Sequence, residues 1–126
     1  FGVSMKLPAS ISVNGSAGQL QQVMMNLVQN ACDATAGRPD GRLEVSAEVA
    51  GGTVCVSFAD NGSGIAPANL GRIFDPFFTT KPVGKGTGLG LAISYGIVER
   101  HGGNLAVENS HAGGAIFTLT LPLLKN

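Results

Sequence analysis

The chain has 126 residues, 44% hydrophobic and 13% charged, with eight basic residues balancing eight acidic ones. That is the size of one domain with one core, and too apolar for a disordered chain. Zero net charge without a basic stripe argues against nucleic acid or an anionic membrane surface as the main partner. No apolar run nears the roughly 20 residues that span a bilayer.

The chain opens at Phe1 rather than at a Met, and no signal peptide is recognisable. It is therefore expected to be part of something longer, with any membrane or sensing segment outside it. "SISV" with its flank, residues 9–13, reads as a short strand. Leu20, Val23, Met24, Leu27, Val28 and Ala31 then repeat at the spacing of a core-facing helix stripe, which ends at the turn sequence "AGRPDG". "RLEVSAEVA" and "TVCVSFAD" alternate apolar and polar residues around Gly51-Gly52, a hairpin signature. Pro67 suits the first turn of a short helix through about Ile73.

Residues 74–87 are rich in Gly, Pro, Thr and Lys, and with the short helix they form a long connection of little regular structure. Such connections are often functional lids. A second long helix is expected from about Gly88 to Arg100, stopped by Gly102-Gly103, and "NLAVEN" and "AIFTLTL" read as two closing strands. Five strands and two long helices in non-alternating order predict an α+β fold, a two-layer sandwich with helices on one face of a mixed sheet. Cys32 and Cys55 both fall inside apolar patterns and read as buried free thiols.

Three groups of residues ask for a chemical explanation. The first helix carries Asn26, Asn30 and Asp33 within an arc of about 60°, with Gln19 and Gln22 on the same stripe and no charge between Ala17 and Cys32. Asn is a mediocre helix former, and an amide-only flank suggests a semi-enclosed polar cavity. An Asn carbonyl oxygen can serve a hard divalent cation whose remaining ligands come from phosphate. An ordinary polar helix edge accounts for the same pattern.

The second group is "DNGSGI", Asp60 to Ile65, directly after a strand. A carboxylate at a buried strand end needs a partner, for which an adenine amino group would serve, and Gly62 and Gly64 would let a flat base approach the backbone. A tight strand-end turn is the simpler alternative. The third is "GKGTGLGLAI", Gly84 to Ile93, running into the second helix. Helix N-terminal N–H groups freed by glycine form a phosphate site, Thr87 adds a hydroxyl, and Lys81 and Lys85 add charge. The order is not that of a P-loop, nor does it follow a strand as a dinucleotide fingerprint would.

Taken in order, "QQVMMNLVQNACDA", "DNGSGI", "FDPFFTTK" and "GKGTGLGLAIS" resemble the asparagine box, first glycine box, phenylalanine box and second glycine box of bacterial sensor histidine kinases. The likeness is to their ATP-binding catalytic domain and spans about residues 17–123. It extends to the wider ATPase group that includes DNA gyrase, and it implies the Bergerat fold with a long ATP lid. The resemblance makes Asn30 the Mg²⁺ ligand and Asp60 the adenine partner, and places Asn26 facing the phosphates. Gly62, Gly64 and Ile65 would shape the base pocket. Gly86, Thr87, Gly88, Leu89 and Gly90 would line the phosphate end, with Lys81 and Lys85 beside them. Asp33 belongs to the same nucleotide-side set without an assigned partner. Ile116 stands where a threonine is common in the final glycine box, so no ligand contact is assigned there.

The resemblance further implies a single catalytic domain over residues 1–126 that uses ATP and Mg²⁺. Its phosphoacceptor histidine would lie on a separate dimerisation domain, with the sensor domain also outside this chain. A response regulator receiver domain would act downstream, and the parent would be a homodimer. The domain itself would be cytoplasmic, without direct membrane contact, whether or not its parent is anchored. A hydrolytic ATPase or a serine/threonine kinase of the anti-sigma-factor type shares the fold. In the hydrolytic relatives a glutamate stands where this chain has Asn26, and an amide is no general base. The phenylalanine box speaks against the anti-sigma type. His101 and His111, the two histidines of the chain, are expected to be exposed and not acceptors.

Overall fold

The computed structural model describes residues 2–6, 17–75, 90–110 and 113–123. Its strands are β1 (Gly2–Lys6), β2 (Arg42–Ala50), β3 (Thr53–Asp60), β4 (Asn104–Asn109) and β5 (Ala115–Pro122). They form one mixed sheet in the order β1-β2-β3-β5-β4, with β1 parallel to β2 and every other pairing antiparallel. The helices are α1 (Ala17–Ala34) and α2 (Gly90–Arg100). The expected two-layer α+β arrangement is what the chain adopts.

The alternation in β2 and β3 sets one face of the sheet against the helices. Val45 pairs with Phe58 and Phe58 with Phe117, while Val56 pairs with Leu119 and Leu119 with Leu105. These apolar rows meet Val23, Leu27 and Ala31 of α1 and Ile97 and Val98 of α2, all buried in one core. Spacing of four along α1 keeps its three residues on one stripe. Burying each of the Val, Leu, Ile and Phe side chains among them contributes about 1.5–3 kcal/mol before the entropy cost of ordering it. On the other face Ser46, Ser57 and Thr118 stay half-exposed.

The hairpin at Gly51-Gly52 has positive φ at both residues, 59° and 79°, which suits a tight turn matched to strand twist. Helix α1 ends where the Thr35 hydroxyl donates to the carbonyls of Ala31 (2.8 Å) and Cys32 (3.3 Å). Helix α2 ends in a Schellman cap: Gly103 N–H donates to Val98 O, Gly102 N–H to Glu99 O, and Gly102 has φ 76°.

Some sequence expectations shift. The strand expected at residues 9–13 lies outside the described residues, and the first observed strand is Gly2–Lys6, whose Val3 and Met5 alternate with polar neighbours. The short helix from Pro67 is a 3-10 turn of three residues, Pro67–Asn69, extended only by further i→i+3 bonds to Asp75. Cys32 and Cys55 are free but half-buried, because Cys55 points to the open face of the sheet, where its sulfur lies 3.6 Å from Thr120 Oγ1. Among the described residues no helix is long and apolar enough to cross a membrane.

Candidate functional site

Helix α1 is the ruler of the site. Its polar flank descends from Asn26 through Asn30 to Asp33, and its last residue, Ala34, abuts the loop after β3. Asn26 and Asn30 are half-buried while Gln19, Gln22 and Asp33 are exposed, so only the middle of the stripe is enclosed. Asn26 reaches across to α2: its Nδ2 donates to Ser94 Oγ at 3.0 Å and to Gly90 O at 3.2 Å. Asn30 has no hydrogen-bond partner among the described residues. Asp33 accepts from Gln29 Nε2 at 3.1 Å, which gives the carboxylate a neighbour on its own helix.

At the other end, Asp60 terminates β3 on the core face, only 6% exposed. Its Oδ1 accepts from the N–H of Gly62 at 2.8 Å and from that of Ala115 at 3.3 Å. Its Oδ2 has no partner among the described residues, yet no side-chain oxygen there is both sealed and unbonded. The second carboxylate oxygen therefore opens to solvent and is the one available to a ligand. Ile116, where a ligand contact was withheld, lies in register with Ala59 and Glu108 on the open face of the sheet. The residue beside Asp60 is Ala115.

The loop after Asp60 is held by backbone proximity. A Cβ on Gly62 would lie 2.4 Å from Ala34 O, and Ser63 N–H donates to that same carbonyl at 3.3 Å. The glycine is thus required by the end of α1, a reason the sequence does not reveal. Gly114 has φ 84°, and a Cβ there would lie 2.0 Å from Asp60 O. Asn61 bridges the same end of β3 to the loop after α1, accepting from Arg42 N–H and donating to Asp40 O, both at 2.8 Å.

Two further residues do work that the motif reading missed. Asn109, at the end of β4, accepts from Ile65 N–H at 2.8 Å and donates to Ile65 O at 2.6 Å. One side chain so replaces a strand partner and fixes the loop that follows Gly64, itself at φ 74°. Ser94 is the buried hydroxyl on α2 that receives Asn26. A signal for Ser94 existed, a polar residue on the apolar stripe of α2; none existed for Asn109, whose partner is 44 residues away.

Beyond the 3-10 turn, Phe74 packs 5.1 Å from Tyr95 and edge-on at 6.3 Å from Phe117, so it packs against the core. The Glu99 carboxylate, hydrogen-bonded to the Tyr95 phenol, pushes its pKa up. Lys81, Lys85, Gly86, Thr87, Gly88 and Leu89 lie outside the described residues, as does His111. Gly90 is the first residue of α2. His101 is half-buried rather than exposed, because its Nδ1 donates to Ile97 O at 2.7 Å at the end of α2.

The profile of the histidine kinase-, DNA gyrase B- and HSP90-like ATPases matches residues 15–125. The chain belongs to this ATPase family. Within it, the domain is 49% identical over 116 residues to the two-component sensor PprA of Pseudomonas aeruginosa, covering 88% of this chain and 12% of that protein. Its fold matches full-length ShkA in complex with AMPPNP at a TM-score of 0.83 and 30% identity, covering 99% of this chain and 26% of that one. It also matches the histidine kinase ThkA in complex with the response regulator TrrA, at a TM-score of 0.80 and 31% identity, covering 97% of this chain and 34% of ThkA. The ATPase domain thus corresponds to the ATP-binding catalytic part of two-component sensor kinases and spans about an eighth of PprA.

Proposed function

We propose that this domain binds Mg·ATP and donates the γ-phosphoryl group to a histidine on a separate helical dimerisation domain, which is the phosphotransfer step of a two-component system. The observation that supports the reading is the linear layout along α1. The half-open Asp60 carboxylate sits by the end of the helix at Ala34, and Asn30 and Asn26 follow at intervals of one turn. Residues 34 to 26 cover about 12 Å at 1.5 Å per residue. A nucleotide laid along this flank has its base at one end and its phosphates at the other.

In this reading Asp60 Oδ2 accepts from the adenine amino group, while Gly62, Gly64 and Ile65 frame the base. Asn30 is suited to a Mg²⁺ ion, being a half-buried amide without a protein partner among the described residues. Those residues hold no group of three or more His, Cys, Asp or Glu side chains that could bind a metal unaided. That donor set fits a hard cation that takes most of its oxygens from phosphate. Bound Mg²⁺ would supply charge neutralisation on the transferring phosphoryl group. Lys81, Lys85, Gly86, Thr87, Gly88, Leu89 and Gly90 complete the phosphate end, while Asp33, next to Ala34 on α1, stands at the margin of the base end.

Asn26, an amide where hydrolytic relatives carry glutamate, has no means of removing a proton from water at neutral pH. Holding ATP for another acceptor is favoured over hydrolysis. The acceptor domain, the sensor and the homodimeric parent lie outside residues 1–126, as does the receiver domain downstream. ThkA, solved with its response regulator, supports that partnership. The domain acts in the cytoplasm, where ATP is available.

The test is calorimetric titration with AMPPNP in magnesium and in EDTA, followed by radiolabel transfer from γ-labelled ATP to an added histidine-bearing dimerisation domain. Binding with magnesium, transfer to the added domain and no label on this chain alone are expected. Label on this chain by itself, or absence of nucleotide binding, overturns the assignment.

A further inference from the structure

We propose that Ser94 is a positioning residue that locks the Asn26 amide with its oxygen free, so that Asn26 meets a hydrogen-bond donor arriving with the cation rather than a phosphate oxygen. This rests on the Mg·ATP reading above. The orientation of an asparagine amide is normally a choice between two near-identical shapes. Here chemistry makes the choice. Gly90 O is a carbonyl and only accepts, so the Asn26 atom 3.2 Å from it is the NH₂ group.

The second proton of that NH₂ goes to Ser94 Oγ at 3.0 Å. Both donors of the Asn26 side chain are therefore spent on α2. Its Oδ1 has no partner among the described residues and, like Asp60 Oδ2, is not sealed from solvent. What Asn26 can offer a ligand is a lone-pair oxygen. Against a negatively charged phosphate oxygen such an atom is repulsive. Against an N–H or O–H it is attractive, and the neighbouring residue one turn on is Asn30, the proposed cation ligand.

Ser94 earns its place energetically. It is 0% exposed, between the core residues Ile97 and Val98 on one side of α2 and the face of α1 on the other. A buried hydroxyl costs stability unless bonded, and the Asn26 amide satisfies it. Removing the hydroxyl leaves one Asn26 proton unsatisfied and the amide held by Gly90 O alone.

The test uses this chain with AMPPNP as ligand and two variants, Ser94→Ala and Ser94→Thr. Magnesium-dependent affinity should fall roughly fivefold in Ser94→Ala, the worth of one net hydrogen bond, with affinity in EDTA unchanged. Ser94→Thr, which keeps the hydroxyl, should restore it. In nucleotide-free protein, amide NMR should show both Asn26 side-chain protons hydrogen-bonded, and one released by Ser94→Ala. Equal loss with and without magnesium, or wild-type Asn26 protons that are both free, overturns the proposal. A wild-type chain that does not bind AMPPNP at all refutes instead the nucleotide reading on which it rests, while the NMR result still reports the lock.

Discussion

Asp60→Asn separates recognition from folding. The Asp60 carboxylate accepts two backbone N–H bonds through one oxygen, at 2.8 and 3.3 Å, and leaves the other open. An asparagine can keep its oxygen on those two N–H groups, so its NH₂ must take the open position. Bonds to a charged acceptor contribute about 1.5–3 kcal/mol and to a neutral one about 0.5–1.5 kcal/mol. Stability should fall by about 1–2 kcal/mol, partly offset by removal of a buried charge, and the domain should still fold. At the ligand the change is larger in kind: an acceptor becomes a donor. The adenine amino group then faces another donor and loses about 2 kcal/mol, roughly thirtyfold in affinity. Guanine presents O6, an acceptor, where adenine presents its amino group. Competition titration should therefore show the ATP-to-GTP preference falling sharply, with GTP binding held or improved. An unchanged preference, or equal loss of both nucleotides, refutes the assignment of Asp60 to the base.

Asn30→Ala should remove the magnesium dependence of AMPPNP affinity, checked by titration in EDTA and in magnesium. Gly114→Ala should cost about 3 kcal/mol or more in denaturant unfolding, since the added methyl meets the Asp60 carbonyl at 2.0 Å and φ is 84°. Gly113→Ala, at φ 94° but with open space around it, should cost only about 1–2 kcal/mol. Asn26→Glu should raise ATP hydrolysis in a phosphate-release assay only weakly, because the carboxylate must face the Gly90 carbonyl that the amide now donates to. Tyr95, the one tyrosine, should titrate above the usual value near 10 in an ultraviolet titration of the phenolate. The Glu99 bond favours the neutral phenol, so its contribution is present below pH 10 and is lost as pH rises beyond; Glu99→Gln should return the value toward normal.

The regular elements were legible because each is written in a local period. Strands β2 to β5 and helix α1 follow directly from alternation or three-four spacing, and the turns between them from paired glycines. The 3-10 turn at Pro67 was misread as a helix because proline signals the start of either and nothing nearby supplies an apolar stripe. Strand β1 was passed over because its five residues pair in parallel with β2, 40 residues later in sequence, without a local hairpin to announce them. At the candidate site, the ordered boxes singled out Asn26, Asn30 and Asp60 as the residues to ask about, but the reasons for the neighbouring glycines were not local. Gly62 answers to Ala34 and Gly114 to Asp60, contacts made only once the sheet and α1 are assembled. Asn109 was invisible for the same reason, since its partner lies 44 residues away, and Ser94 showed only as a polar residue on the apolar stripe of α2, with nothing local to name its partner.

These contacts divide the site into two ends of different stiffness. At the base end, Gly62 lies against Ala34, Ser63 bonds to its carbonyl, Gly114 lies against Asp60, and Asn109 clamps Ile65. Every restraint there involves backbone in van der Waals or hydrogen-bond contact, so displacing the Asp60 carboxylate means moving strand ends and the helix terminus together. At the end assigned above to the phosphates, the polar cross-tie between α1 and the start of α2 among the described residues is one side chain, Asn26, donating two hydrogen bonds. Two such bonds contribute about 1–3 kcal/mol, within reach of what a ligand's differential affinity can overcome. If Asp60 receives the adenine as proposed, the base pocket is preformed, while the register of α2 against α1 can respond to what the phosphates and a cation would bring. On the proposed reading, that division builds recognition into the rigid end and confines adjustment to the end from which the phosphoryl group would leave.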